Sequence, residues 1–305
     1  NILRVCAWLL ESHADRNAML LGIGGGITTD ITGFTASIYK RGIRFAYLPT
    51  TFLAQVDAAI GGKTGVNFEN YKNILGVIRQ PEFTYVCPEV LGTLTYRDFL
   101  SGAAELVKTF IIDDSGDNYE KAVTILSEIH DATDHTSAIA SHHAELEDLI
   151  AAAARVKAGV VERDEFEMGE RRKLNLGHTF AHAIEWEAHN REQSMGEVNA
   201  GVHGISHGEA VAMGMIMAAE ASEYYYADDK SQPVAAQGIV KKLTEDFRRC
   251  GLPVECPYPI TALAEAMKKD KKSENGIVHF ILIRAIGDVR IEDLPVDDVV
   301  SWISK

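Results

Sequence analysis

The sequence predicts an α/β fold in its first part and a mainly helical second part, and three observations carry that prediction. Up to about Pro88, short apolar runs alternate with helical periodicity, the order that builds a parallel sheet. Beyond Pro88 the pattern lengthens into long helices. The chain has 305 residues, 46% of them hydrophobic, enough for one large or two modest cores. We therefore expect two domains, residues 1–88 and residues 89–305.

In order, Ile2–Ser12 reads as a helix, and Met19–Ile23, short and apolar, as a strand that stops at three glycines. A helical pattern resumes beyond Thr29, and Arg44–Leu48 is the next strand. In the second part, apolar residues at helical spacing mark Phe99–Ile112, Ala144–Val161, Asn175–Ala188 and Gly208–Tyr226. A late strand pair is expected at Ile277–Ile283 and Val289–Ile291. There is no internal repeat and no low-complexity tract.

Charge excludes some partners. Asp and Glu number 44 against 30 Lys and Arg, a formal net charge of -14, which repels nucleic acid and anionic membrane surfaces. The longest apolar stretch, Ala210–Ala219, is too short to span a bilayer, and no basic segment followed by an apolar one opens the sequence. These features point to the cytoplasm. Cys6, Cys87, Cys250 and Cys256 form no Cys-x-x-Cys pair and are expected to be reduced.

Several residues carry possible chemistry. Gly24-Gly25-Gly26 after a strand and ahead of Asp30 suits a backbone turn that approaches a phosphate at a helix N-terminus, although it is not the Gly-x-Gly-x-x-Gly fingerprint. His178 and His182, four apart, share a helix face, so one or both are candidate metal ligands. Thr179 stands where a metalloprotease would need Glu. His207 opens a very apolar helix and is a candidate third ligand. Glu105 lies on an apolar helical stretch, where an unpaired carboxylate would be costly to bury, so it is either exposed or paired with a cation. Two histidines and a carboxylate leave open positions on a divalent ion, as catalytic zinc requires. Lys63, Lys72-Asn73, Lys108, Lys157 and Arg171-Arg172 are a basic set able to hold a phosphate and a carboxylate. Gly61-Gly62-Lys63-Thr64 is not a nucleotide triphosphatase loop, because Asp57 occupies the position of its leading glycine.

Taken together, Gly24–Asp30, Arg41-Gly42, Pro49–Thr51, Gln55–Asp57, Gly61–Gly65, Lys72-Asn73, Ala104–Lys108, Lys157–Val161, Asn175–His178, His182–Glu185, His207–Val211 and Asp270–Lys272 form an ordered series that resembles the dehydroquinate synthase family of sugar phosphate cyclases over essentially the whole chain. The resemblance implies a Rossmann-like nucleotide-binding domain followed by a mainly helical metal-binding domain. It implies Glu105, His178 and His207 as ligands of zinc or cobalt, with His182 released to the phosphate end of the substrate. Lys157 and Arg171 would grip a substrate carboxylate. Lys63, Asn73, Asn175 and a lysine of the Asp270 segment, Lys272, would form the phosphate pocket, with Asp57, Lys72 and Lys108 as further polar positions. NAD would contact Gly25, Gly26, Ile27, Asp30, Thr50, Thr51 and Thr93, together with Asp57, Lys63 and Lys72. Arg41 would act across a homodimer interface. The implied activity is that of a carbon–oxygen lyase that converts 3-deoxy-D-arabino-heptulosonate 7-phosphate to 3-dehydroquinate and phosphate, in the shikimate pathway to aromatic amino acids, with no net change in NAD.

Two departures accompany the resemblance. The sequence opens where family members have already completed their first strand–helix units, so we expect the segments that touch the adenosine half of NAD to lie outside it. Residues 189–206 are longer and more polar than the usual connection and are expected to form a surface loop. The alternatives are another sugar phosphate cyclase, a metal-dependent polyol dehydrogenase with net NADH production, or a metal-binding fragment without turnover. Lys157 and Arg171 argue for an acid substrate, since a neutral sugar would leave two cations without a counter-charge.

Overall fold

A computed structural model describes residues 1–68, 71–194, 204–227, 236–269 and 277–303. Its elements run α1 (Ile2–Glu11), β1 (Met19–Gly24), α2 (Gly26–Ile38), β2 (Arg44–Pro49), β3 (Lys63–Phe68), β4 (Tyr71–Ile78), α3 (Tyr96–Ile112), α4 (Asp117–His130), α5 (His135–Ser141), α6 (His143–Arg163), α7 (His178–Ser194), α8 (His207–Ala227), α9 (Ile239–Arg249), α10 (Ile260–Lys269), β5 (Ile277–Ala285), β6 (Asp288–Pro295) and α11 (Val296–Ile303). Among the described residues no helix is long and apolar enough to cross a membrane. None of the four cysteines is in a disulfide.

Two compact units form. The first comprises Asn1–Gly102 and Asp134–Glu167, the second Ala103–Thr133 and Met168–Lys305. The division expected at residue 88 therefore falls inside the first unit, which also takes back α5 and α6 from the helical part of the sequence. The ion pair that ties α6 to this unit explains the return: Lys157 Nζ donates to the Asp57 backbone carbonyl at 2.6 Å and to its carboxylate at 2.7 Å.

In the first unit β1 and β2 pair in parallel from Met19↔Arg44 to Gly24↔Pro49, and one further parallel bridge joins Tyr47 to Thr84. Leu9, Ala36, Tyr39, Ile43, Phe45, Tyr47 and Ala59 form the core between this sheet and its helices. α2 can lie close to the strands because Gly33 has no side chain: a Cβ there would come within 2.2 Å of the Tyr47 hydroxyl. The basic, glycine-rich stretch after Gly61, read from sequence for its phosphate chemistry alone, folds as an antiparallel hairpin of β3 and β4 with a register shift between Val66 and Phe68. Asp57 sits on a single π-helical turn, Ala54–Ala58, a geometry often found at functional sites.

In the second unit α8 is buried along most of its length, as its apolar sequence demands, and it packs on α7 and on β5. β5 and β6 pair antiparallel and run longer than the predicted strands. They are fastened to α8 by Ser222, whose hydroxyl accepts from the Ile283 N–H at 2.8 Å. The helix expected over Asn175–Ala188 is split: a 3-10 segment covers Glu170–Asn175, Gly177 turns left-handed at φ 76°, and α7 starts at His178.

Candidate metal centre and active-site residues

The second unit brings Glu105, His178 and His207 together. Glu105 lies on α3 among Ala104, Leu106 and Val107 and is fully buried, so of the two options left by the sequence the paired one holds. Its Oε2 contacts the ammonium of Lys108, one turn on and also buried. Its Oε1 faces the two histidines, 3.5 Å from His178 Nε2 and 3.2 Å from His207 Nε2. Each histidine is the first residue of its helix. Their closeness depends on glycines, because a Cβ on Gly214 would stand 2.2 Å from the Gly177 carbonyl and one on Gly177 would stand 2.9 Å from the Met215 nitrogen. Backbone thus meets backbone where α7 begins beside α8, and the two rings end 5.4 Å apart between centroids.

Hydrogen bonds on the far side of each ring fix which nitrogen faces Glu105. A carbonyl oxygen only accepts, so His178 Nδ1, 3.1 Å from the Leu176 carbonyl, carries the hydrogen and Nε2 presents a lone pair. His207 Nδ1 donates to Glu185 Oε1 at 3.0 Å. Burial works against ionising Glu105, but Lys108 and the two histidines outweigh it and hold its carboxyl well below the usual range. Burial and then the Lys108 ammonium keep His178 neutral, against the pull of Glu105. His207 is also penalised by burial, yet the carboxylates of Glu105 and Glu185 lift it to about 9, so without a cation its Nε2 also carries a hydrogen, which a bound metal ion would displace.

These residues fit a divalent cation. Donor atoms of the trio all lie within 4.8 Å of one another, and neither oxygen of Glu105 makes a well-formed hydrogen bond. The 3.2 and 3.5 Å separations match the roughly 3.3 Å expected between two tetrahedral ligands that are each about 2.0 Å from zinc. His182 is outside the trio. It lies one turn along α7, half-buried, with its ring edge-on to His178 at 5.6 Å between centroids. Arg171 is buried in the 3-10 segment, and Asn175, at the end of that segment, is half-buried. Lys272 lies outside the described residues.

The other predicted residues belong to the first unit. Gly25 caps α2 in an extended conformation with no side-chain hydrogen bond, so the first backbone N–H groups of Gly26 and Ile27 are left to a ligand or solvent. Thr50 N–H donates to the Gly24 carbonyl at 2.9 Å, and a Cβ at Gly25 would touch Thr51 at 2.9 Å, which draws these segments together. Asp30, one turn into α2, is raised by burial to about 6, with the Gly65 N–H pulling the other way. Lys63 opens β3 and is ion-paired with Glu167. Asn73 adopts a left-handed φ of 49° in β4, where its N–H donates to Asn67 at 2.9 Å. The backbone of Lys72 lies in β4, while its side chain lies outside the described residues. Thr93 is exposed and donates to the Val90 carbonyl. Arg41 is exposed and left-handed at φ 65°, directly after Lys40 at φ 48°.

Sequence reasoning passed over Glu185, although it lies seven residues after His178 and so falls on the same helix face two turns on. It also left the partners of Asp57 and Lys63 unassigned. Pairs so distant in sequence leave no local signal.

A glycine-opened helix on a parallel strand pair in one unit, and a Glu-His-His cluster able to hold a cation in the other, are the parts of a metal-dependent enzyme built on an α/β unit and a mainly helical one. The family models described as 3-dehydroquinate synthase N-terminal and 3-dehydroquinate synthase C-terminal match residues 1–101 and 102–273. The chain belongs to the 3-dehydroquinate synthase family. It is 41% identical over 280 residues to the 3-dehydroquinate synthase of Pyrococcus abyssi (strain GE5 / Orsay), covering 92% of this chain and 73% of that one. With the 3-dehydroquinate synthase of Pyrococcus furiosus it shares 39% identity over 286 residues, 94% of this chain and 74% of that one. Among solved structures, 2-epi-5-epi-valiolone synthase from Streptomyces hygroscopicus subsp. jinggangensis 5008, with NAD+ and Zn2+ bound, is similar at a TM-score of 0.76 and 24% identity, over 99% of this chain and 78% of that one. That last likeness is one of fold.

Proposed function

We infer that this chain carries out the dehydroquinate synthase reaction, converting 3-deoxy-D-arabino-heptulosonate 7-phosphate to 3-dehydroquinate and phosphate with catalytic NAD and a divalent metal. The observation that carries the reading is the convergence of His178 and His207 on one oxygen of the buried Glu105. When bound, the metal would acidify a substrate hydroxyl and NAD would accept and return a hydride. The trio Glu105, His178 and His207 would hold the metal, and the first turn of α2, with Gly25, Gly26, Ile27 and Asp30, would meet the cofactor's pyrophosphate and ribose beside Thr50 and Thr51.

The chain's own residues supply charge and position. Lys108 neutralises Oε2 of Glu105 and leaves Oε1 to the metal side. His182 is the proposed contact at the phosphate end of the substrate, and Arg171 and Lys157 are the proposed carboxylate partners. Lys63, Asn73, Asn175 and Lys272 are the proposed phosphate contacts, with Asp57, Lys72 and Thr93 beside the cofactor. On the family resemblance we assign Arg41, exposed on a left-handed turn, to the substrate of a partner protomer in a homodimer. Acidic charge and four thiols outside disulfides support a cytoplasmic enzyme.

Another sugar phosphate cyclase would share this chemistry. The 41% identity to a dehydroquinate synthase and the cations available for an acid substrate favour the first reading. The test is phosphate release from the heptulosonate phosphate with zinc, with and without added NAD, while NADH absorbance is followed. Zinc-dependent release without net NADH is expected; net NADH would indicate a dehydrogenase, and no release with saturating NAD would overturn the assignment.

A further inference from the structure

We propose that Glu185 is the positioning residue that fixes the tautomer and ring orientation of His207, and thereby sets the affinity of the Glu105–His178–His207 centre for its ion. The proposal rests on the metal-centre reading above. Glu185 extends from α7 to the first residue of α8, where its Oε1 accepts from His207 Nδ1 at 3.0 Å. With that hydrogen fixed on Nδ1, Nε2 is left to face Glu105 Oε1 at 3.2 Å. The backbone of His207 is set by another device. Ser206 N–H donates to Glu209 Oε2 at 2.6 Å and Glu209 N–H donates to Ser206 Oγ at 3.3 Å, a reciprocal capping box that starts α8 and leaves ring rotation unconstrained.

The two histidines differ in their outer partners. His178 leans on a neutral carbonyl, that of Leu176. His207 leans on a carboxylate, whose charge draws the Nδ1 hydrogen and makes Nε2 the more basic donor. The side chain of His207 is also 30% exposed against 13% for His178, so less packing holds its ring in place. Its aim depends correspondingly more on Glu185.

The full chain, stripped of metal by chelation, is titrated with Zn2+ against a chromogenic chelator and separately with Co2+ while the ligand-field spectrum is recorded. Glu185→Ala is expected to weaken Zn2+ binding about 100-fold and to alter the Co2+ spectrum. Glu185→Gln keeps an acceptor without the charge and is expected to lose about 10-fold, so it decides the matter even if Glu185→Ala does not fold. Glu187→Ala, which breaks the half-buried pair with Arg191 on the same helix, is expected to bind Zn2+ like the wild type. A purely structural role would lower the unfolding midpoint without moving affinity or spectrum. Wild-type affinity and an unchanged spectrum in the Glu185 variants would overturn the proposal while leaving the centre intact; a wild-type chain that binds neither ion would overturn the centre itself.

Discussion

The starts of α2 and α8 are built by opposite rules. α2 begins on Gly25 with no side-chain cap, so its terminal N–H groups are available to something outside the fold. α8 begins on Ser206, which exchanges hydrogen bonds with Glu209 through the N–H groups of both residues, and what its first residue, His207, offers is a ring. One site is backbone with its side chains removed; the other is side chains locked to one another. The second kind is the more brittle, because each group in it compensates a neighbour's charge away from water.

The sharpest way to break the contrast is Glu105→Ala. It leaves the buried Lys108 ammonium, 1% exposed as a residue, without its carboxylate. Loss of one partner of a buried pair costs about 3–5 kcal/mol, and metal binding should be lost as well. The double variant Glu105→Gln with Lys108→Met removes both charges and should recover most of the stability while still failing to bind zinc. Denaturant midpoints in the presence of chelator measure the first effect and zinc titration the second. Full metal binding by the double variant would show that Glu105 is not a ligand.

That distinction was only half visible in the sequence. Apolar periodicity and a short strand that stops at three glycines made the α/β-then-helical order legible, and a carboxylate on an apolar helical stretch had to be either exposed or paired. Spacing, however, paired His178 with His182, since residues four apart on a helix are neighbours. The structure instead joins His178 to His207, because Gly177 and Gly214 let the start of α7 lie backbone to backbone against α8, two turns beyond His207. No local pattern encodes a contact between backbones so far apart in the chain; the sequence offered His207 as a third ligand only from its place at the head of an apolar helix, and it took the resemblance to set His182 aside. The β3–β4 hairpin was hidden for a related reason: its glycines and lysines look like a ligand loop, and the pairing that makes it a hairpin is read only once Lys63 is set opposite Ile78.

A second, smaller break tests those glycines. Gly214→Ala would place a methyl 2.2 Å from the Gly177 carbonyl, and backbone shifts of this kind cost about 1–3 kcal/mol. Because the shift pushes apart the helices that start with His178 and His207, zinc affinity should fall with stability. A Gly214→Ala variant with lower stability and wild-type zinc affinity would show that the centre tolerates movement of its scaffold.

The smallest effect is expected at the open end of α2 and has the opposite sign. Burial raises Asp30 from 3.8 to about 6, so between those values the folded chain binds more protons than the unfolded one. Stability therefore declines as pH rises through that window, and at neutral pH the ionised, half-buried carboxylate is a net cost. A shift of about two units corresponds to ~3 kcal/mol at full burial, which solvent screening at a half-buried position reduces to about 1–2 kcal/mol. Asp30→Asn keeps an oxygen for the Gly65 N–H and removes the charge, so the metal-free chain should be more stable by that amount at pH 7, with most of the gain gone at pH 4. Urea midpoints at the two pH values measure it, and an equal gain at both would mean that the carboxylate's charge is not the cause. If the stabilised variant also binds NAD more weakly, the first turn of α2 carries its charge for the cofactor at the expense of the fold, which is what a site left open at a helix start predicts.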